Sequence, residues 1–73
     1  MDVNSRSDAG FTPLHISSQQ GHVTTVTILV EEGNANVDAV TKTGANPIYW
    51  AAHFGKIEVI EYLIEKGIKK IIS

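Results

Sequence analysis

Apolar residues recur along the chain in two short clusters of helical period. Ile57, Ile60, Leu63 and Ile64 fall at i, i+3, i+6 and i+7 with Glu58, Glu61 and Glu65 between them, a spacing that predicts an amphipathic helix with a one-sided apolar stripe. Val23, Val26, Leu29 and Val30 repeat that spacing earlier in the chain. A shorter segment with a helix-start signal precedes each cluster. Thr12-Pro13 and Asn46-Pro47 put a capping side chain before a proline at the first helical position, where the missing N–H costs nothing and the fixed φ suits the helix. Gly21 and Gly55 then fall where first helices of roughly eight residues should stop, because glycine takes the left-handed C-terminal conformation without a Cβ penalty. Gly33 and Gly67 are predicted to end the second helices. The stretch from Asn34 to Gly44, rich in Asn, Asp, Thr and Gly with Val37 in its middle, reads as an extended hairpin or long turn.

The two clusters belong to one repeating unit. A shift of 34 residues places Gly10 on Gly44, Pro13 on Pro47, Gly21 on Gly55, Leu29 on Leu63, Glu31 on Glu65 and Gly33 on Gly67. Between these identities Leu14 meets Ile48, Val23 meets Ile57 and Val26 meets Ile60, so character is kept. The chain therefore divides into a remnant of a preceding unit or N-terminal strand at 1–6, a first repeat at 7–40, and a second repeat with its tail at 41–73, all within one domain. Neither copy can bury its apolar stripe alone, and repeat architectures solve this by stacking neighbours.

Composition narrows the function classes. At 73 residues with no Cys, the chain has no disulfide or zinc-thiolate site to supplement a core that buries only about 60% of its unfolded surface. The missing bridges favour an intracellular setting, cytoplasmic or nuclear. Six Lys and Arg against eight Asp and Glu give a net charge of −2, which offers no basic stripe for nucleic acid. The longest apolar run, Ile48 to Ala52, is far below the roughly 20 residues of a membrane span, so no membrane insertion is expected.

Gly10-Phe11-Thr12-Pro13-Leu14-His15, followed by Gly21-His22 and by Ala35-Asn36-Val37-Asp38-Ala39, resembles the ankyrin repeat. The second copy is further from the family pattern, with Asn46-Pro47-Ile48-Tyr49 where the first has Thr12 to His15, but it retains Ala51-Ala52 and the glycine spacing. The resemblance implies an all-α solenoid of stacked helix-turn-helix pairs with projecting hairpin loops, and a non-enzymatic protein-binding module. It implies partner contacts at Asp8, Ala9, Phe11, Gln19 and Gln20 in the first repeat and at Lys42, Thr43, Ala45, His53 and Phe54 in the second. Thr12, Pro13, Leu14, His15, Gly21, Gly33, Pro47, Gly55 and Gly67 are implied as the structural motif, with His15 buried and bonded to its own helix start and the hairpin. Phe11 and Phe54 stand out, since aromatic anchors carry interface energy out of proportion to their number; the alternative is that both fold back as satellite core. Three departures matter. Ankyrin repeats are usually about 33 residues long, so one extra residue near Asn34 should enlarge the inter-repeat loop. Ser7 and Thr41, or Asp8 displaced by one position, replace the aspartate that usually opens the hairpin, which should weaken the loop hydrogen bonds. Trp50 stands where a smaller aliphatic residue is usual, implying unusual packing or partial exposure.

Other chemistry is thinly represented. His15, His22 and His53 share no helical face and lack an acidic partner, so no metal site is expected. Ser17, His15 and Asp38 lack the elbow and oxyanion loop of a nucleophilic triad, and no phosphate-binding glycine loop occurs; no catalytic residue and no cofactor is expected. Lys66, Lys69 and Lys70 suit a helix C-terminus, and Thr24, Thr25 and Thr27 suit an exposed helix face. Apolar residues at the end of the sequence, Ile68, Ile71 and Ile72, support a second reading. In it the chain is a stacking or homo-oligomerising unit through open solenoid ends around Trp50, Tyr62, Ile71 and Ile72, or a fragment of a longer ankyrin array. The leading expectation is a module that docks a partner protein on its concave hairpin and first-helix surface.

Overall fold

The computed structural model describes residues 4–72, with side chains described for residues 4–66. Asp2 and Val3 of the expected first strand lie outside the described residues, as do the side chains of Ile68, Lys69, Lys70, Ile71 and Ile72. Four helices follow one another: α1 (Pro13–Gln20), α2 (Val23–Glu31), α3 (Pro47–His53) and α4 (Ile57–Ile72). There is no strand among the described residues. α1 packs on α2 and α3 on α4, while α1 against α3 makes the principal contact between the two pairs.

The helix boundaries follow from their caps. Thr12 Oγ1 accepts from the His15 N–H at 3.4 Å while the Thr12 N–H donates to His15 Nδ1 at 3.0 Å, a reciprocal cap in which the histidine occupies the place of the usual Glu or Gln. Asn46 Oδ1 accepts from the Tyr49 N–H at 2.8 Å at the start of α3. Gly21 ends α1 at φ +76°, and Gly55 follows α3 at φ +68°. The ends of the second helices differ from the sequence expectation. At the end of α2 it is Asn34 that is left-handed, at φ 55°, a conformation Asn tolerates better than most residues. The Gly33 N–H reaches Ile28 O at 3.1 Å and the Ala35 N–H reaches Leu29 O at 2.9 Å, so the extra residue is absorbed as a widened helix terminus. Nor does α4 stop at Gly67; it runs to Ile72. Glycine inside a helix costs only about 1 kcal/mol relative to alanine, and the spacing of Ile64, Ile68, Ile71 and Ile72 continues the helical apolar period.

Two hairpin-like loops stack beside the helices. In the first, Ser7 N–H donates to Phe11 O at 2.9 Å; in the second, Thr41 N–H donates to Ala45 O at 2.8 Å, and the Lys42 N–H ties the two loops by donating to Ala9 O at 3.1 Å. The hydroxyls take over the work expected of an aspartate: Ser7 Oγ accepts from the Phe11 N–H at 3.2 Å and Thr41 Oγ1 from the Ala45 N–H at 3.3 Å. The loop bonds are made, at the long end of the normal range. Upstream, Asn4 Oδ1 accepts from the Asn36 N–H at 2.9 Å and Arg6 Nη1 donates to Val40 O at 3.0 Å.

The core is Leu14, Val26, Ala35, Val37, Ala51, Val59 and Leu63, with Val23, Leu29, Val30, Ile48, Ile60 and Tyr62 packed around it. Each fully buried Val or Leu contributes roughly 1.5–3 kcal/mol. The expected stripe on α4 is corrected here: Val59 and Leu63 are buried, whereas Ile57 is 62% exposed and Ile64 is exposed as well. The helix is apolar on two sides because a stacked unit has a neighbour before it and a matching face after it.

His15 locks the assembly. Its ring is fully buried, and its Nε2–H donates to Ala39 O at 2.9 Å and Ala45 O at 3.1 Å, carbonyls in the segment that leads into the next repeat. Because Nδ1 faces the obligate donor of Thr12, the neutral ring with its proton on Nε2 is the form that fits. Burial pushes its pKa below 6.5, partly offset by the two carbonyls, with the Arg6 charge also lowering it.

Two predictions follow from this packing. A histidine with a lowered folded pKa stabilises the fold fully above the unfolded value of 6.5 and loses that contribution as pH falls through and below it. Melting temperature should therefore drop between pH 7.5 and 5, and the drop should shrink in His15→Gln; a wild-type midpoint flat across this window would refute the assignment. Gly10 and Gly44 share φ values of +85° and +87°, but a Cβ on Gly10 would lie 2.8 Å from the Lys42 nitrogen while one on Gly44 meets nothing within 4 Å. Gly44→Ala should cost about 1 kcal/mol from backbone strain alone, and Gly10→Ala roughly 2–3 kcal/mol more from overpacking. Equal costs in urea denaturation would show that the loops do not stack.

Candidate functional site

The Asn46 cap and Pro47 start α3 so that Tyr49 and His53, and likewise Trp50 and the C-cap Phe54, fall at i, i+4 spacing, which makes each pair neighbours on the helix surface. Their rings form a continuous strip. Tyr49 stacks on His53 at 6.2 Å between centroids and meets Trp50 edge-on at 5.3 Å. His53 sits edge-on to Phe54 at 4.8 Å, and Trp50 stacks on Phe54 at 6.4 Å. Phe11, arriving from the first loop, lies 5.2 Å from Trp50 and edge-on to His15 at 5.8 Å. Pairs of this kind add about 0.5–1.5 kcal/mol beyond their burial.

Trp50 anchors this strip to the scaffold. It is half-buried, and its Nε1 is buried with no hydrogen-bond partner, so both the unusual packing and the partial exposure expected of an indole here are present. Outside it, Tyr49 is 53% and Phe54 46% exposed, and His53 is exposed. The strip is thus rigid underneath and open above.

The residues expected at partner contacts divide into groups. Phe11, His53 and Phe54 are brought together through Trp50, with Phe11 half-buried as the inner ring. Asp8, Ala9, Lys42 and Thr43 are exposed on the stacked loops, Gln20 is exposed at the end of α1 and Gln19 is half-buried. Ala45 does not belong with them. Its side chain is buried at 8% exposure, its N–H is held by Thr41 Oγ1 and its carbonyl accepts from His15, so its place in the loop turns it toward the scaffold. Tyr49 was missed. It occupies the position of His15 one repeat later, and the signal was the change from a ring with an acceptor and a donor on two separate nitrogens to a phenol with a single hydroxyl at its tip.

A second cluster ties the outer helices. The Tyr62 hydroxyl donates to Glu31 Oε2 at 2.8 Å, Lys66 Nζ lies 3.8 Å from the same oxygen, and Lys66 sits 5.5 Å from the Tyr62 ring centre. Burial and then the Glu31 carboxylate push the Tyr62 pKa up to about 12. This is a polar clasp between repeats, placed on α2 and α4 rather than on the aromatic strip. Among the described residues no group of three or more His, Asp or Glu side chains could hold a metal ion, and both His15 nitrogens are engaged by Thr12, Ala39 and Ala45. No described helix is long and apolar enough to cross a membrane.

Comparison with known proteins gives the same architecture a name. A family model described as ankyrin repeats, in three copies, matches residues 1–73. Human BCL-6 corepressor-like protein 1 is 36% identical over 66 residues, covering 90% of this chain and 4% of its own length. Human ankyrin repeat domain-containing protein 63 is 34% identical over 62 residues, covering 85% of this chain and 16% of its own. The chain thus spans a small fraction of the curated relatives it matches. In the crystal structure of the yeast ribosomal protein Rps3 in complex with its chaperone Yar1, a chain matches with a TM-score of 0.85 at 34% identity, over 88% of this chain and 43% of that one. Through its capped helix pairs, its buried Thr12–His15 lock and this match along its whole length, the chain belongs to the ankyrin-repeat family.

Proposed function

We propose that this chain is a protein-binding module, working in the cytoplasm or nucleus, whose contact surface is centred on the aromatic strip of α3 and extends over the exposed loop residues Asp8, Ala9, Lys42 and Thr43. The observation that carries the reading is the strip itself: Tyr49, His53 and Phe54 stand exposed on a foundation of Trp50 and Phe11. Aromatic side chains already held in place lose little freedom on binding, and such residues dominate interface energies. Ankyrin repeats are themselves non-catalytic, and the net charge of −2 argues against nucleic acid as the occupant. The match to a chain from a complex of a ribosomal protein with its chaperone supports a protein as the partner class.

A photo-crosslinking residue placed at Phe54 should capture the partner, while the same residue at Glu61, exposed on the outer helix, should not. With the captured protein identified, Phe54→Ala should weaken its binding tenfold or more, about 2 kcal/mol at a hot spot, and Glu61→Gln should leave it unchanged. Circular dichroism confirms that each variant folds. Adducts from position 61 and none from position 54 would move the binding surface to the outer helices.

A further inference from the structure

We infer that the partner docks through an acidic segment, one that sets an apolar side chain on Phe54 and flanks it with carboxylates that meet Lys42 and Lys56. The inference rests on the protein-binding reading above and adds the chemistry of the partner. It begins from how the charges are divided. The five glutamates of the chain, Glu31, Glu32, Glu58, Glu61 and Glu65, all lie on α2 and α4 or at the end of α2. No carboxylate occurs on α1 or α3, where Gln19, Gln20 and His53 offer N–H donors instead. Lys42 stands exposed at the tip of the second loop, next to Thr43, which lines one groove with Tyr49 and Trp50. At the other end of α3, Lys56 follows Phe54 and Gly55, with its carbon chain lying against Gly21. Lys66 is paired with Glu31, whereas Lys42 and Lys56 enter no ion pair among the described residues.

The surface is confined to positions that stay open when another repeat follows. Asp8 and Gln20, the equivalents of Lys42 and Phe54, are exposed although the second repeat packs on the first. His15, the equivalent of Tyr49, is fully buried, so Tyr49 is no part of the acidic segment's footprint. Phe54 is fixed from the side of the first repeat, by Trp50 and through it by Phe11. Asp8 is the opposing charge, and it lies beside Lys42, whose N–H is bonded to Ala9 O. A cationic segment would be drawn to the glutamates of the outer helices and away from the strip. An acidic one is repelled there and drawn to the strip, so charge selects the face. The seven residues of α3 extend about 10 Å at 1.5 Å per residue, a length that an extended segment covers in about three residues at roughly 3.3 Å each. A short run with an acidic residue on either side of an apolar one therefore matches the layout of Lys42, Phe54 and Lys56.

The test selects binders of the full 73-residue chain from a phage-displayed library of random short peptides and keeps those that are lost on Phe54→Ala, a variant whose fold circular dichroism checks. These peptides should carry Asp or Glu on both sides of an apolar or aromatic residue and be depleted in Lys and Arg. For the tightest of them, measured by fluorescence anisotropy at low salt, Lys42→Glu should weaken binding about fivefold and Asp8→Asn should strengthen it about twofold, as expected of charges at an interface rim. Lys56→Gln, which keeps most of the side chain against Gly21, should weaken it about threefold. Glu61→Lys on the outer helix should change it by less than about twofold, since salt screens exposed charges beyond about 10 Å. Residues 8, 42 and 61 are exposed, so these substitutions leave the core untouched. Peptides that need Phe54 but are neutral or basic would overturn the acidic segment and leave the strip as the binding surface. Acidic peptides indifferent to Lys42→Glu, or tightened as much by Glu61→Lys as they are weakened by Lys42→Glu, would overturn it as well, by reducing the effect to net charge. A selection that yields binders none of which needs Phe54 would overturn both this inference and the proposed contact surface.

Discussion

The buried imidazole of His15 is the point on which the rest of the molecule depends. One ring nitrogen completes the cap of α1 through Thr12, and the other bridges the carbonyls of Ala39 and Ala45 on either side of the second loop. These are groups 24 and 30 residues away in the chain, so a single side chain joins a local helix start to the long-range placement of the next unit. Burying a polar group costs least when its donors and acceptors are used, and here the neutral ring satisfies Thr12 and both carbonyls at once. The second loop is thereby held against α1, which brings Lys42 to Ala9 and Trp50 to Phe11. The aromatic strip inherits its position from that contact.

Stability in such a fold resides in the interface between units as much as in either unit. Leu14 and Val26 lose all exposure because Ala51, Val59 and Leu63 come to meet them, and the Tyr62–Glu31 hydrogen bond fastens the outer helices across the same seam. The same economy leaves apolar surface at both ends, since each helix carries one face for the unit before it and one for the unit after it. The two repeats stack through α1 and α3, while His53 and Phe54, at the end of α3, remain exposed.

How far this was legible in the sequence varies by element. The starts of α1 and α3 and the turns at Gly21 and Gly55 were readable because caps, Pro and left-handed glycines act within a few residues. The end of α2 was not, because both Gly33 and Asn34 suit a left-handed turn and the choice fell to the hydrogen bonds of Ala35 with Leu29. On α4 the choice of Ile57 over Val59 for the buried face failed for a related reason: with apolar residues on two sides of a helix, periodicity does not say which side meets the neighbour. At the candidate site Phe54 and His53 stand open, whereas Ala45 turns inward, and Tyr49 emerged as a member only when the strip could be seen as one cluster of rings.

By itself the sequence determined the repeat, its period and the helix pairs. These are properties of spacing and of local backbone chemistry, and each is written into a short run of residues. The tertiary structure alone decided which apolar residues are core and which are open faces, that His15 reaches the carbonyls of Ala39 and Ala45, and that Phe11 of the first loop meets Trp50 of α3. Such outcomes depend on what packs against each residue from distant parts of the chain, and identical side chains at equivalent positions take different roles according to whether a neighbouring unit lies over them.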